Sequence, residues 1–245
     1  MMPSSLKGMA FFFLLLKYLW SNVLKSMSVN ISAYKQIKSE LDKKQVTLVA
    51  VSKTKPASEI LELYNLGQRD FGENYVQEMV EKADQLSKDI RWHFIGHLQT
   101  NKVKLIAPFV QLIHGVDSLK LLKEINKQGK SNNRVIDCLL QVHIAQEETK
   151  FGLNEEELSK LISQFTNEAM TSVKVAGLMG MASFTDNMTI VMNEFRRLKR
   201  IFDRLRTHDA RFTTLSMGMS SDYKIALEEG SNMVRVGSLL FGERS

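Results

Sequence analysis

From Met27 onward, short apolar runs alternate with stretches whose apolar residues recur at helical spacing. The runs predict eight strands, over residues 46–53, 70–75, 92–96, 112–117, 136–144, 173–182, 213–219 and 233–241. The clearest helix between them covers residues 187–206. There Ile190, Val191, Phe195, Leu198, Ile201, Phe202 and Leu205 make one apolar stripe, with Arg196, Arg197, Lys199, Arg200 and Arg204 around it. Residues 28–41 predict a further helix ahead of the first strand. Strands that are apolar on both faces and are each followed by a helix are parallel strands under a helical cover. Eight of them predict an α/β fold, a single (β/α)8 barrel with an extra N-terminal helix. The competing architecture is an open doubly wound sheet. Its dinucleotide and P-loop forms are disfavoured, because neither a G-x-G-x-x-G after the first strand nor a G-x-x-x-x-G-K-[ST] occurs.

Residues 1–26 do not share this pattern. Their apolar run, Gly8 to Leu16, is interrupted by Lys17 and is shorter than the ~20 residues that span a bilayer. A secretory signal would have this basic start and apolar core, but the residues after Asn22 make a poor cleavage site. The expectation is that Met27 is the natural start, that residues 1–26 are an extension without a role in the fold, and that residues 27–245 form one barrel domain.

The chain has 245 residues, 44% hydrophobic and 24% charged, an ordinary globular composition. The single cysteine, Cys138, excludes a disulfide framework and a multi-thiolate metal site, and points to a reducing, cytoplasmic setting. Half of the net charge of +6 comes from Lys7, Lys17 and Lys25 in the first 26 residues. The basic residues of 187–206 read as a solvated helix face, and no aromatic interleaving accompanies them, so no nucleic-acid partner is expected. His93 and His97 are ~13 Å apart if both lie in a strand, too far for one ion, and His114 and His143 stand in separate strands. No metal is expected.

In such a barrel, chemistry collects at the C-terminal ends of the strands. At the end of the first stands Lys53, and alternation gives it the parity of Val49 and Val51. If the valines point inward, its ammonium enters the mouth of the barrel. Partial desolvation there favours the neutral amine, which attacks carbonyl carbon. The same position also suits a lysine that reaches water or pairs with an acid. Lys55, beside Pro56, is expected outside. Residues Leu215-Ser216-Met217-Gly218-Met219-Ser220 and Arg235-Val236-Gly237-Ser238 end the last two strands in small and hydroxyl residues, which can form an anion site or two ordinary turns. Arg235 interrupts an apolar strand, where an unpaired charge is costly. Its partner is either a neighbouring glutamate or a ligand acceptor such as the ring nitrogen of pyridoxal phosphate. A nucleophilic lysine, a phosphate cradle and this arginine together describe a pyridoxal-phosphate site.

Five segments carry a resemblance to a known family: Ala50-Val51-Ser52-Lys53-Thr54-Lys55-Pro56, Phe71-Gly72-Glu73-Asn74-Tyr75-Val76-Gln77-Glu78, Trp92-His93-Phe94-Ile95-Gly96-His97-Leu98-Gln99-Thr100-Asn101-Lys102, Leu215-Ser216-Met217-Gly218-Met219-Ser220 and Gly230-Ser231-Asn232-Met233-Val234-Arg235-Val236-Gly237. With them the chain resembles the pyridoxal phosphate homeostasis proteins, relatives of the alanine racemase N-terminal barrel. The resemblance implies that Lys53 holds the cofactor as a Schiff base and that Arg235 faces the pyridine nitrogen. It further implies that Asn74 lies near the ring and that Ser216, Gly218, Met219, Ser220, Gly237 and Ser238 surround the phosphate. Ser238 stands where the family usually has threonine, and His143 where asparagine is more usual, so no role is transferred to His143.

A barrel of this length is expected to lack the second domain whose tyrosine serves alanine racemase. The implied function is therefore that of a cofactor carrier or regulator in intracellular pyridoxal phosphate homeostasis, without catalytic turnover. Expected partners are pyridoxal phosphate and pyridoxal-phosphate-dependent apoenzymes, with no stable membrane span and a monomeric state. A minimal pyridoxal-phosphate-dependent amino-acid racemase is the alternative, and a Schiff-base aldolase acting on a phosphorylated sugar is the third class.

Overall fold

A computed structural model describes residues 29–147, 151–168 and 170–243. Eight parallel strands follow one another around a closed barrel: β1 (Thr47–Val51), β2 (Asp70–Glu73), β3 (Arg91–Phe94), β4 (Leu112–Val116), β5 (Ile136–Val142), β6 (Val173–Gly180), β7 (Thr214–Ser216) and β8 (Met233–Val236). β8 pairs back onto β1, with Val49 opposite Arg235, so the sheet has no edge and the open architecture is excluded. Outside lie α1 (Ile31–Lys43), α2 (Ala57–Asn65), α3 (Val76–Gln85), α4 (Val103–Ile106), α5 (Leu119–Ser131), α6 (Glu155–Asn167), α7 (Met188–His208), α8 (Tyr223–Glu228) and α9 (Ser238–Phe241). The apolar segment expected to stand apart from the fold, residues 1–26, lies outside the described residues. No described helix is long and apolar enough to cross a membrane.

Strand alternation sorts the core into two layers. Leu48 and Ala50 of β1 pack outward among residues from the helices. Val49 instead packs inside the barrel with Leu112, Leu139, Ala176, Met179 and Met233. The leading helix begins at Ile31, where the Asn30 side chain accepts a hydrogen bond from the Ala33 amide at 3.0 Å. In α7 the stripe is buried at Val191, Phe195, Leu198, Ile201 and Phe202 and half-buried at its two ends, Ile190 and Leu205, and the basic residues pair with acids: Arg196 with Glu229 at 2.7 Å, and Arg197 and Arg204 with Glu155 at 3.1 and 3.4 Å. That is a solvated face with surface ion pairs, as the periodicity predicts.

The strands end one or two residues before their predicted bounds, and the last two fall further short. β7 stops at Ser216, because Gly218 turns the chain with φ +96°, in the left-handed region. β8 stops at Val236, and Ser238–Phe241 is a helical turn that buries Leu240 and Phe241. An unbroken apolar run has no period that separates strand from buried helix. The turn is held by the first helix's entry, where the Asn30 amide donates to the Leu240 carbonyl at 2.7 Å.

The barrel interior also carries a file of polar side chains. Asp70 at the start of β2 accepts from Arg91 Nε at 2.7 Å and lies 3.0 Å from His93 Nε2. His93 Nδ1 is 3.0 Å from His114 Nε2, and His114 Nδ1 is 3.2 Å from Ser216 Oγ. Arg235 Nη1 donates to the same Ser216 oxygen at 2.6 Å. His93, His114, Ser216 and Arg235 are all buried. Burial opposes ionisation of Asp70, but hydrogen bonds from Arg91 and His93 and the Arg91 charge outweigh it and hold the carboxyl at about 2.

Two outcomes follow for stability. Phe195, fully buried in α7, leaves a cavity when cut to alanine, and Phe195→Ala should lower the unfolding free energy in urea by ~3–5 kcal/mol. The depressed Asp70 pKa means that its stabilisation is present above the unfolded value of 3.8 and is lost as pH falls toward about 2. Urea titrations at stepped pH should show about 2 kcal/mol of acid destabilisation across that window in the parent chain. They should show a flatter profile in Asp70→Asn.

Candidate functional site

A cavity of about 590 Å³ opens at the C-terminal ends of the strands. Of the residues singled out from sequence, Lys53, Asn74, Met219, Ser220, Arg235, Gly237 and Ser238 line it. Ser216 and Gly218 do not. Ser216 is buried beneath Arg235, and the Gly218 carbonyl accepts from the Arg235 amide at 3.0 Å. Lys55, expected outside, is also in the wall, where its Nζ donates to the Phe241 carbonyl at 2.6 Å and ties the β1–α2 connection to α9.

Lys53 lies two residues past β1 in a tight turn, with the parity of Val49 and Val51 that brings it to the mouth. The turn is pinned on both sides of it. The Ser52 hydroxyl donates to Glu73 Oε1 at 2.6 Å, and the Ser52 carbonyl accepts from Lys82 Nζ at 2.8 Å. The Thr54 amide donates to Glu78 Oε1 at 2.6 Å. Thr54 has φ 64°, a conformation that costs a β-branched residue energy and that these contacts enforce. Lys82 Nζ sits 2.7 Å from both Glu73 and Glu78, so the cluster is a buried ion triad reaching from β2 and α3. Burial pushes the Glu73 carboxyl up, against the pull of Lys82.

Arg235 enters the cavity from β8 and is almost wholly buried. Its Nη1 donates to the Ser216 carbonyl at 3.0 Å and to Ser216 Oγ at 2.6 Å, and Nη2 donates to the Gly180 carbonyl at 3.1 Å. No described carboxylate is within ion-pair distance, so the neighbouring glutamate expected as one alternative is not its partner. Nε–H and the second Nη2–H make no hydrogen bond to a described residue. Burial pulls its pKa down to about 10, with Asp222 opposing, so the guanidinium keeps its charge at neutral pH.

The third wall runs from Met219 to Ser221 and from Gly237 to Ser238. Gly218 makes it close-fitting, since a Cβ there would stand 2.6 Å from Ala226 Cβ. Asp222 Oδ1 accepts from the Met219 amide at 2.6 Å, and Ser220 Oγ accepts from the Gly237 amide at 3.1 Å. The amides of Ser220, Ser221 and Ser238 donate to no described residue. An amine, a buried cation with unengaged donors and a wall of amides and hydroxyls suit a ligand with a carbonyl carbon, an acceptor nitrogen and an anionic group. Pyridoxal phosphate has all three.

The remaining candidates lie elsewhere. His93 is inside the barrel, while His97 is exposed and stacks on Phe151 at 4.5 Å between ring centres. His143 Nε2 is 3.0 Å from the Glu147 carbonyl and does not line the cavity. Among the described residues no cluster of three His, Cys, Asp or Glu side chains could hold a metal. Cys138 is buried in β5, and burial pushes its thiol up, away from reactivity. Residue-by-residue reading of the sequence missed the roles of Glu73, Glu78, Lys82, His93 and His114. The Glu78/Lys82 spacing of four in a helix was the one local signal for the triad.

A family model described as alanine racemase, N-terminal domain, matches residues 27–245. A pyridoxal phosphate homeostasis protein of Aquifex aeolicus is 45% identical over 199 residues, covering 80% of this chain and 86% of that protein. One of Haemophilus influenzae is 40% identical over 205 residues, covering 82% and 86%. Among solved structures, PipY of Synechococcus elongatus with pyridoxal phosphate bound superposes with a TM-score of 0.79 at 33% identity, covering 86% of this chain and 99% of that one. The chain belongs to the pyridoxal phosphate homeostasis protein family, on the barrel of the alanine racemase N-terminal domain.

Proposed function

We propose that this protein binds pyridoxal phosphate at the barrel mouth and acts in intracellular cofactor homeostasis, holding and releasing the cofactor without turnover of its own. The observation that carries the reading is that Lys53 and Arg235 share one cavity, with Arg235 keeping two unengaged N–H groups and no described carboxylate beside it. The homeostasis-protein names of the relatives and the pyridoxal phosphate bound to PipY support it.

When bound, the cofactor supplies an aldehyde that captures amines and a ring that can accept electrons. In this reading Lys53 Nζ makes the covalent link, and the turn pinned by Glu73, Glu78 and Lys82 aims it. Arg235 orients the ring through its nitrogen. As a donor-only cation it keeps that nitrogen free of a proton and so weakens the ring as an electron sink. The Ser220, Ser221 and Ser238 amides bind the phosphate, with Met219 and Gly237 shaping the wall and Asn74 beside the ring. No tyrosine or histidine is among the described residues lining the cavity, which supports a holder over a racemase that needs a second proton carrier. The reading extends to a monomer in the cytoplasm, with pyridoxal-phosphate-dependent apoenzymes as recipients and residues 27–245 as the binding domain.

Borohydride reduction of the loaded protein followed by peptide mapping should fix the cofactor on Lys53. Labelling confined to Lys55 or Lys102 would contradict that assignment. Arg235→Ala should bind pyridoxal phosphate about tenfold or more weakly, since a charge-assisted hydrogen bond contributes ~1.5–3 kcal/mol. Equilibrium dialysis on the folded variant reads this directly. Incubation of the loaded protein with L-alanine should yield no D-alanine beyond one equivalent, and sustained racemisation would favour the enzyme alternative.

A further inference from the structure

The polar file inside the barrel joins two cavities. At one end Asp70 and Arg91 line a polar cavity of about 240 Å³ at the N-terminal ends of the strands. At the other, Arg235 lines the mouth. The direction of every hydrogen bond between them follows from donor counting. Arg235 has only donors, so Ser216 Oγ accepts from it at 2.6 Å and spends its own hydrogen elsewhere. Its other polar neighbour is His114 Nδ1 at 3.2 Å, which is therefore bare, leaving the His114 proton on Nε2. That proton is donated to His93 Nδ1 at 3.0 Å, which puts the His93 proton on Nε2, and it meets the Asp70 carboxylate at 3.0 Å.

The opposite polarity fails at Ser216. It would aim both Arg235 and His114 at the serine oxygen and leave the hydroxyl hydrogen with no acceptor among the described residues. Burial, His93 and Arg235 all keep His114 well below the ordinary histidine range, so it is neutral and holds one proton. A cation at the mouth and a carboxylate at the floor thus fix the direction from both ends.

We propose that Asp70, His93, His114 and Ser216 are positioning residues for Arg235, a one-way hydrogen-bond relay through the barrel that locks the guanidinium in the orientation meeting the ring nitrogen. The relay occupies Nη1 at Ser216, while the Gly180 carbonyl at 3.1 Å takes one Nη2 hydrogen. With two corners held, the plane of the guanidinium is set, and Nε–H and one Nη2–H are the donors left for a ligand. The inference rests on the assignment of Arg235 to the cofactor, and its test separates the two.

Long-range 1H–15N NMR on the full-length protein, with and without pyridoxal phosphate, should find both His93 and His114 protonated on Nε2 alone. A proton on Nδ1 of either ring would overturn the relay. His114→Leu, which leaves Ser216 and His93 without their partners, should weaken pyridoxal phosphate binding about tenfold, the loss of ~1.4 kcal/mol. It should also move the absorbance maximum of the bound cofactor. Ser216→Thr, which keeps the hydroxyl, should bind like the parent, whereas Ser216→Ala should follow His114→Leu. The double variant His114→Leu/Arg235→Ala should be no weaker than Arg235→Ala alone, because both act through one group. Additive losses, or parental affinity and absorbance in His114→Leu while Arg235→Ala is impaired, would overturn the relay alone. Parental affinity in Arg235→Ala would overturn the cofactor assignment of Arg235 and the relay with it. The NMR result stands even where a variant fails to fold.

Discussion

A positive charge buried in an apolar barrel is the constraint around which the rest is arranged. Arg235 is held by a serine, two carbonyl oxygens and no described carboxylate, so its charge is hydrogen-bonded without being neutralised. An interior of this kind is costly unless its polar groups are paired in full. The barrel meets most of that demand with a file of polar side chains down its axis, where aliphatic layers would ordinarily sit, and leaves two Arg235 N–H groups facing the cavity. Around the file, Val49, Leu112, Leu139, Ala176, Met179 and Met233 pack together as the apolar part of the interior.

A second charged group does for Lys53 what the file does for Arg235. The Glu73–Lys82–Glu78 triad holds the residues on either side of Lys53 by Ser52 and Thr54. Both cations are thus set by neighbours that do not line the cavity themselves. The division puts the geometry in the buried shell and leaves the mouth to the ligand.

Much of this is legible in the sequence, and the exceptions have physical causes. Lys53 is readable because strand parity is strict: Val49 and Val51 predict its face. Arg235 is readable as an anomaly, a charge between Val234 and Val236, although its partner is not, since Ser216 lies on another strand. The place of Gly218 at the end of β7 is visible, but its carbonyl faces the Arg235 backbone rather than the cavity. His93 and His114 read as isolated histidines because they are 21 positions apart on different strands; only the parallel pairing of β3 with β4 brings their ring nitrogens to 3.0 Å. The end of β8 is misread for a different reason: Leu239, Leu240 and Phe241 are apolar without a period, and the burial of Leu240 and Phe241 in a turn that packs on α1 decides for helix.

Closure of the barrel also dates the site in the life of the chain. Lys53 follows the first strand and Arg235 sits on the last, and the two strands are hydrogen-bonded neighbours with Val49 opposite Arg235. Nothing that needs both residues can bind until the C-terminal strand has been synthesised and has zipped onto the N-terminal one. A ligand gripping both sides of this seam binds the closed chain alone, and by mass action it draws the last folding step to completion.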